Sequence, residues 1–263
     1  ASFINGATCS SSDGGAVIDN SAYESGETAD AQYVDLTPWL FGGTWGCTHE
    51  IYVRFDATTA AIYEPIAWFP NNTSNWRYSL LSYRGSTNLA TYQLKRNYTT
   101  KSIVYSDPEL ITISNDTWFH MVWRNYYDTS DAAWYTQLWI NGELQDTKTS
   151  TNNYPNWKTR SRHRLGADAL ASGVQNYSSM TIAYTRWWNQ DIGQAQIQWL
   201  YENREQTYLF LPYFGAPEPE PEPEPVPEPE PEVMFINPDH EFEFRSIDGT
   251  DDVLDTYNTD ISA

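Results

Sequence analysis

The feature that most constrains this chain is a run in which every second residue is proline, Pro217–Glu232 (PEPEPEPEPVPEPEPE). Proline lacks the amide donor and clashes with the preceding helical turn, so neither a helix nor a central strand forms there, and polyproline II is the natural conformation. At about 3.1 Å per residue the run reaches ~50 Å. A domain of the preceding length has a radius of gyration of about 17 Å. The run therefore predicts a stiff spacer that carries the residues beyond it about one domain's width away.

The tail beyond the spacer contains one good strand pattern, His240–Ser246 (HEFEFRS), and no second strand of comparable quality. An isolated strand is not stable in water, so this strand is expected to complete a sheet elsewhere. We therefore predict a domain at 1–215, a spacer at 216–232 and a tail at 233–263 with a donor strand at 240–246. Its donor residues are His240, Phe242, Phe244 and Arg245, the two phenylalanines filling core pockets of the acceptor and Arg245 facing outward.

The domain has the composition of an all-β protein, because aromatic residues make up 16% of the chain and apolar runs are short. Asn141-Gly142 between two strand-like runs predicts a type I′ hairpin. One helix is expected from Ile192 to about Glu205, with Asp191 as its cap. The predicted fold is a two-sheet antiparallel jelly-roll sandwich with one short helix, a polyproline II linker and a C-terminal donor strand. The strand candidates are 31–36, 49–55, 78–83, 90–95, 102–105, 118–125, 133–140, 143–147, 162–165 and 180–188.

Negative charge is concentrated at the C-terminal end. The chain has a net charge of −20, and residues 217–263 hold 15 acidic residues and one base. An acidic brush of this kind disfavours nucleic acid as a partner. No run of 18 apolar residues is present, so no membrane-spanning helix is expected.

Two kinds of residue favour secretion. Cys9 and Cys47 are the only cysteines, and one intrachain disulfide between them is expected, with two unpaired buried thiols as the alternative. Asparagine acceptor sequences for N-glycosylation indicate covalent glycans and an extracellular location. They occur at Asn71, Asn72, Asn97, Asn115 and Asn176.

The middle of the chain resembles a laminin G-like domain, a member of the concanavalin A-like lectin/glucanase jelly rolls. The resemblance covers roughly 118–201 and rests on Trp118-Phe-His120-Met-Val-Trp123, Leu138-Trp-Ile-Asn141-Gly142-Glu, Leu165-Gly166-Ala, Ile182 through Asn189, and a helix ending Trp199-Leu-Tyr201. It implies a jelly roll, but lectins, enzymes and adhesion modules all share that fold.

The ends of the chain divide the family's opening pattern between them. The first part, Phe242-Glu-Phe-Arg-Ser-Ile-Asp248-Gly249, stands near the C-terminus, and the second, Asn5-Gly6-Ala7-Thr-Cys9, stands near the N-terminus. The resemblance thus implies that the domain lacks its first strand and carries a copy of it beyond the spacer. This plan also resembles the subunits of glycan-coated extracellular fibrils from aquatic microbes.

Catalytic and metal-binding patterns are weak, so no enzyme activity and no metal site are expected. The glucanase triplet E-x-D-x-x-E is missing, and the nearest carboxylate pair, Glu241 and Glu243, lies on the donor strand. Arg54 stands where legume-type lectins place a metal carboxylate. Calcium is the one cofactor that the family resemblance allows, and the acidic run 248–252 (DGTDD) lacks EF-hand spacing, which favours an exposed turn.

These observations lead to two hypotheses of function. The first is a secreted, glycosylated structural protomer that donates its tail strand to the next identical copy and so builds a head-to-tail filament. The alternative is a carbohydrate-binding, lectin-like module on a proline-rich stalk. For the alternative, the candidate sugar-stacking residues are Trp68, Trp76, Trp157, Trp187 and Trp188, although most tryptophans of a sandwich belong to its core.

Overall fold

A computed structural model gives the fold of the 263-residue chain. It describes residues 2–10, 15–21, 30–37, 39–41, 44–57, 64–70, 78–84, 89–96, 99–107, 109–150, 158–159, 163–167, 177–205, 240–244 and 253–255. The spacer and the acidic run at 248–252 lie outside these ranges, so their predicted conformations stay predictions. No helix in the described part is long and apolar enough to cross a membrane.

Strands dominate the described residues, and every strand pair is antiparallel. The strands are β1 (Ser2–Ile4), β2 (Thr8–Ser10), β3 (Gly15–Ile18), β4 (Tyr33–Leu36), β5 (Leu40–Phe41), β6 (Cys47–Ala57), β7 (Glu64–Pro70), β8 (Tyr78–Arg84), β9 (Leu89–Arg96), β10 (Thr99–Tyr105), β11 (Trp118–Asp128), β12 (Ala133–Ile140), β13 (Glu143–Ser150), β14 (Lys158–Thr159), β15 (His163–Leu165), β16 (Ser179–Trp188), β17 (His240–Phe244) and β18 (Val253–Asp255).

Two large sheets form a jelly-roll β-sandwich. The seven-stranded sheet has the order β1-β4-β15-β7-β8-β9-β10. The nine-stranded sheet has the order β13-β12-β11-β6-β16-β17-β18, with β3 also paired to β16 and β2 paired to β3. β5 and β14 form a small separate pair. This architecture confirms the predicted fold class.

The main core contains residues of both sheets. Alternate residues of β6, including Ile51, Val53 and Phe55, are fully buried with Val34 of β4 and Leu165 of β15. Since side chains alternate along a strand, the residues between them project from the other face of the nine-stranded sheet.

That other face is covered by the one described helix, α1 (Gly193–Glu202). Ile197 and Leu200 of α1 pack with Val122, Trp139 and Trp188 of the sheet in a second buried cluster. The predicted cap needs correction, because the residue at the N-cap is Ile192. Asp191 still contributes, since its Oδ1 accepts a hydrogen bond of 3.1 Å from the Gly193 amide.

The predicted hairpin is confirmed. β12 and β13 are joined through Asn141 and Gly142, whose φ angles are 50° and 77°. A type I′ turn needs positive φ at both positions, and Asn and Gly tolerate it best.

The tail strand β17 fills an edge of the chain's own sheet. β16 pairs with β6 along one side, while its other side is shared between β3 at Met180–Ile182 and β17 at Tyr184–Trp187. We call Tyr184–Trp187 the tail seat. In this one chain the predicted strand pairs with the chain's own sheet. Donation to a neighbouring copy was expected, and it stays a prediction. Phe242 stands opposite Thr185 in the register.

The predicted disulfide between Cys9 and Cys47 is wrong for this structure. The strand register places Cys9 beside Ala16, and Ala16 beside Ile182. Cys47 lies near the other end of the same sheet, because it directly precedes Thr48, which pairs with Trp188. The two cysteines are therefore six residues apart along the strand direction, or about 20 Å at 3.3 Å per residue. A disulfide requires Cα atoms within about 7 Å of each other.

Candidate functional site

Exposed aromatic side chains gather where β11 turns into β12. Trp45 is 75% exposed and Tyr127 is 44% exposed. Large aromatic side chains left in water on a folded domain often mark an interaction site. We call the group the hairpin-end cluster. Its members are Trp45, Tyr126, Tyr127, Asp128, Asp131 and Tyr135.

A close backbone approach holds the Trp45 turn against β11. Trp45 precedes Gly46, which has a φ of 79°. A Cβ atom at Gly46 would lie 2.3 Å from the carbonyl oxygen of Asn125, so only glycine fits there. Cys47, the next residue, pairs with Asn125. The turn therefore places Trp45 beside the end of β11 that carries Tyr126 and Tyr127.

The tyrosines are fixed by cross-strand contacts. Tyr126 of β11 and Tyr135 of β12 are direct partners, and their rings stack at 5.2 Å with an interplanar angle of 13°. The Tyr135 hydroxyl donates a hydrogen bond to Asp131, which raises the pKa of Tyr135 to about 12. On the opposite face of the same strands, Tyr127 contacts Trp134 at 5.5 Å. The aromatic rings are thus preorganised before any ligand arrives.

Two turn carboxylates complete the hairpin-end cluster. Asp128 accepts hydrogen bonds from the Ser130 hydroxyl and amide, at 2.6 and 2.8 Å, and these bonds lower the pKa of Asp128. Asp131 accepts the Ala133 amide at 3.2 Å as well as the Tyr135 hydroxyl. The turn therefore orients both carboxylates, and its hydrogen bonds favour the charged form of Asp128.

The nearest cation is already paired. Arg124 lies with its guanidinium 3.9 Å from the centre of the Tyr126 ring and forms an ion pair with Asp191 at 3.1 Å. Burial raises the pKa of Asp191, and Arg124 opposes that effect. This pair links the hairpin-end cluster to the start of α1.

A buried charged network lies further along the same face of the sheet. Glu50 receives hydrogen bonds from His120 at 2.8 Å, from Tyr184 at 3.2 Å and from Arg186 at 3.2 and 3.3 Å. Burial opposes ionisation of Glu50, but Arg186 and His120 hold the pKa of its carboxyl below the ordinary value. We call these four residues the Glu50 network. Because all four are buried, we assign it to the stability of the nine-stranded sheet and not to ligand binding.

A second polar group lies in the core between the sheets. His49 is hydrogen-bonded with Thr185 and packs edge-on against Trp123 at 3.9 Å. His163 from the other sheet lies 3.8 Å from Trp39. Burial, together with His163, lowers the pKa of His49 well below its ordinary value.

The predicted sugar-stacking tryptophans are not brought together. Trp187 and Trp188 are buried, so neither can stack on a sugar, which corrects that prediction. The side chains of Trp68, Trp76 and Trp157 lie outside the described residues. The alternation pattern assigned tryptophans to strands but did not reveal Trp45 in its turn. The sequence Thr44-Trp45-Gly46 could have indicated that Trp45 is exposed, because a tryptophan between turn-forming residues lies in a turn and not in a strand that faces the core.

One predicted glycosylation site is described. Asn115 is exposed in the turn before β11, where Asp116 has a φ of 57° and the Thr117 hydroxyl donates to the Asn115 carbonyl at 3.3 Å. Asn71, Asn72, Asn97 and Asn176 lie outside the described residues.

The metal sites considered from sequence have no counterpart among the described side chains. No group of three or more His, Cys, Asp or Glu residues in that part of the chain could hold a metal ion. Arg54, which replaces the lectin metal carboxylate, forms an ion pair with Asp56 at 2.7 Å.

Comparison with solved structures gives the same fold class as the sheet order. The NanB sialidase of Streptococcus pneumoniae with optactamide matches at a TM-score of 0.50 and 12% identity, over 66% of this chain and 27% of NanB. The CBM40 of the Ruminococcus gnavus IT-sialidase, bound to α2,3-sialyllactose, matches at 0.48 and 9% identity, over 64% and 96%. A heptameric SAP-like pentraxin from Limulus polyphemus matches at 0.46 and 13% identity, over 64% and 73%.

These similarities concern the fold alone. The chain is a jelly-roll β-sandwich protein, and it spans about a quarter of the NanB structure that it matches. No protein-family model matches the chain, and no curated protein matches it.

Proposed function

We propose that the chain is an extracellular carbohydrate-binding module. Its binding surface is the side of the hairpin-end cluster that carries Trp45 and Tyr127, together with the adjoining turn, while Tyr126 and Tyr135 support the hairpin from the opposite face. The observation that carries the proposal is a tryptophan three-quarters exposed beside an exposed tyrosine, with two oriented carboxylates on the adjoining turn. Aromatic faces cover the apolar side of a sugar ring, and carboxylates accept hydrogen bonds from its hydroxyl groups.

The rigidity of the surface supports this use. The Gly46 contact fixes the Trp45 turn, the Tyr126–Tyr135 stack fixes the hairpin, and Arg124 ties it to Asp191. A preformed site avoids the cost of ordering side chains on binding. The jelly-roll CBM40 of Ruminococcus gnavus is crystallised with a sialylated sugar, so the fold is one on which sugar sites occur.

The test is a glycan array probed with the full chain, followed by titration of the glycans that bind. Trp45→Ala and Tyr127→Ala are expected to lower affinity by about tenfold or more, as loss of an aromatic anchor does. Tyr105→Ala is the matched control, because Tyr105 is also exposed, at 38%, but lies on β10 of the other sheet. Binding to no glycan, or equal loss in all three variants, contradicts the proposal.

Assembly through the tail strand is a second candidate, favoured by the geometry of the tail seat. β17 adds a strand to the part of β16 that β3 leaves uncovered, and Tyr184–Trp187, which pair with it, are buried. The spacer's reach of ~50 Å is long enough for the tail to reach a neighbouring copy. We infer that the seat accepts the tail strand of another copy as well as its own, which would build the head-to-tail filament of glycosylated, laminin G-like protomers predicted from sequence.

Shortening the spacer separates the two ways of filling the seat. A chain with half of the proline–glutamate repeats reaches only ~25 Å and is expected to stay monomeric, while the full chain forms filaments in negative-stain images. A chain lacking 233–263 is expected to form none. A full chain that remains monomeric at every concentration contradicts this second candidate and leaves the first intact.

A further inference from the structure

We infer that the hairpin-end cluster selects neutral or amine-bearing glycans and rejects anionic ones; this rests on the proposed carbohydrate-binding function. The inference follows from the charges that a bound sugar would meet. On the turn beside the aromatic residues, Asp131 is exposed and Asp128 is half-buried. A sialylated, sulfated or uronate sugar would bring its own negative charge toward two carboxylates.

The cations of this region are already matched by carboxylates. Among the described residues, Arg124 pairs with Asp191 and Lys148 of β13 pairs with Asp146, at 3.1 and 3.2 Å. Turning either cation toward an anionic sugar would break an ion pair that already exists. The chain's net charge of −20 adds a long-range repulsion of the same sign.

The hydrogen-bonding geometry favours ligands that donate. Asp128 uses one oxygen, Oδ1, for the Ser130 hydroxyl and amide. Asp131 uses Oδ1 for the Ala133 amide and Oδ2 for the Tyr135 hydroxyl. Each oxygen has two lone-pair directions, so both carboxylates keep acceptor capacity. Sugar hydroxyl and ammonium groups are donors that such carboxylates bind strongly.

The charged side chains at this site therefore differ from those of a sialic acid site. A carboxylate ligand is normally held by arginine in a bidentate contact. In the hairpin-end cluster the charged side chains of the turn are carboxylates instead, and the arginine on the Tyr126 ring, Arg124, is already paired with Asp191. The expected ligands are neutral oligosaccharides, and oligosaccharides of amino sugars are expected to bind more tightly still.

The experiment compares matched probes on the full chain. Lactose is titrated against α2,3-sialyllactose and 6-sulfolactose, and chitotriose against the chitosan trimer, with any neutral glycan found on the array treated in the same way. Sialyllactose and 6-sulfolactose are expected to bind roughly tenfold more weakly than lactose, and the chitosan trimer more tightly than chitotriose. Raising the salt from about 0.05 M to about 0.5 M should shrink both differences.

Two variants test whether the carboxylates of the turn cause the discrimination against anionic probes. The double variant Asp128→Asn and Asp131→Asn should remove most of the discrimination against the anionic probe. Asp19→Asn is the matched control, because Asp19 accepts the Ser21 hydroxyl and amide in the same manner, at 2.6 and 3.0 Å, at the opposite end of the sheet. It should leave both affinities unchanged.

The outcomes separate this inference from the proposed function. Anionic probes that bind as tightly as their neutral partners overturn the selectivity and leave carbohydrate binding standing. Discrimination that survives the double variant also overturns it, since the carboxylates would then not be its source. A chain that binds none of the probes or array glycans contradicts both.

Discussion

At the scale of single residues, Glu50 shows how a buried charge is kept in this sheet. It stands in a cross-strand row with Val122 on one side and Arg186 on the other. α1 packs over the apolar end of that row, and the register places Glu241 of the tail strand opposite Arg186 at the other end. The charge is tolerated because His120, Tyr184 and Arg186 all donate to it.

Removing this carboxylate should be costly. Glu50→Ala takes away the acceptor shared by three buried donors and is expected to lower the free energy of unfolding by about 3–5 kcal/mol. Asp56→Ala is the comparison, because the Arg54–Asp56 pair has side chains 24% and 25% exposed and should cost less than about 1 kcal/mol. Denaturant unfolding measures both, and similar losses would contradict the role given to the Glu50 network.

His49 should make the fold sensitive to mild acid. Its pKa in the folded state is well below the ordinary value of 6.5, because burial and the neighbouring His163 disfavour the proton. Below pH 6.5 the unfolded chain therefore binds a proton that the folded chain does not. Stability should be full above that pH and fall by about 1.4 kcal/mol per pH unit below it.

The measurement is the free energy of unfolding between pH 7.5 and about pH 5, a window above the ordinary range for carboxylates. His49→Gln should flatten the slope by about one proton, whatever its effect on stability at neutral pH. An unchanged slope in that variant would show that His49 is not the group responsible.

At the scale of elements, Gly142 connects the β12–β13 hairpin to α1. Gly142 has a φ of 77°, and a Cβ atom there would lie 2.7 Å from Cδ1 of Tyr201. Gly193 offers a matched position, with a φ of 74° and no atom within 4 Å of the added Cβ. Alanine at either site carries left-handed strain of about 1–2 kcal/mol.

Gly142→Ala should therefore destabilise the fold more than Gly193→Ala does, because only the first displaces Tyr201. Thermal unfolding of the two variants side by side measures the difference. Equal losses would mean that the hairpin and the helix do not depend on this contact.

The tail strand is expected to protect one half of an edge and not the other. Deleting 233–263 should speed amide hydrogen exchange at Tyr184–Trp187, while Met180–Ile182 stay covered by β3. Exchange measured by mass spectrometry on both chains tests this, with the β3-covered segment as the internal control. Unchanged exchange in the tail seat would contradict the pairing of β17.

Long strands of the fold could be predicted from the sequence, whereas very short strands and a strand interrupted by proline could not. β11 and β12 were predictable because long apolar runs and Asn141-Gly142 lie within a few residues of each other. The strand prediction stopped at Asn125, since the apolar pattern ends there, and so it missed that β11 continues to Asp128. No strand was predicted before residue 31, yet that segment contains β1, β2 and β3, which have only three or four residues each. β7 was missed because Pro65 and Pro70 interrupt its pattern.

The candidate site was less predictable than the fold. Trp45 and Tyr127 are 82 positions apart in the chain, and their proximity follows from the β6–β11 register. The Glu50 network likewise joins residues more than a hundred positions apart, Glu50 and Arg186. Local patterns give no information on such pairs, since only the completed sheet brings them together.

At the scale of the whole molecule, the proposed binding surface and the proposed assembly edge lie at different places on one sandwich. The hairpin-end cluster lies at the β11–β12 turn, whereas the tail seat lies on β16, with β6 between β11 and β16. Ligand binding and strand exchange would therefore not compete for the same residues. A filament of such protomers would present one sugar site per copy, so weak single sites would act together.

The most direct test of this account is a ¹H–¹⁵N spectrum of the full chain, titrated with the glycan that binds most tightly on the array. We predict that the Trp45 indole signal and the amides of Tyr126, Tyr127 and Asp128 shift with the titration, while those of Asp19 and Ser21 do not. Shifts that leave Trp45 and the β11–β12 turn unchanged, or a chain to which no glycan binds, would contradict the central claim that the hairpin-end cluster binds carbohydrate.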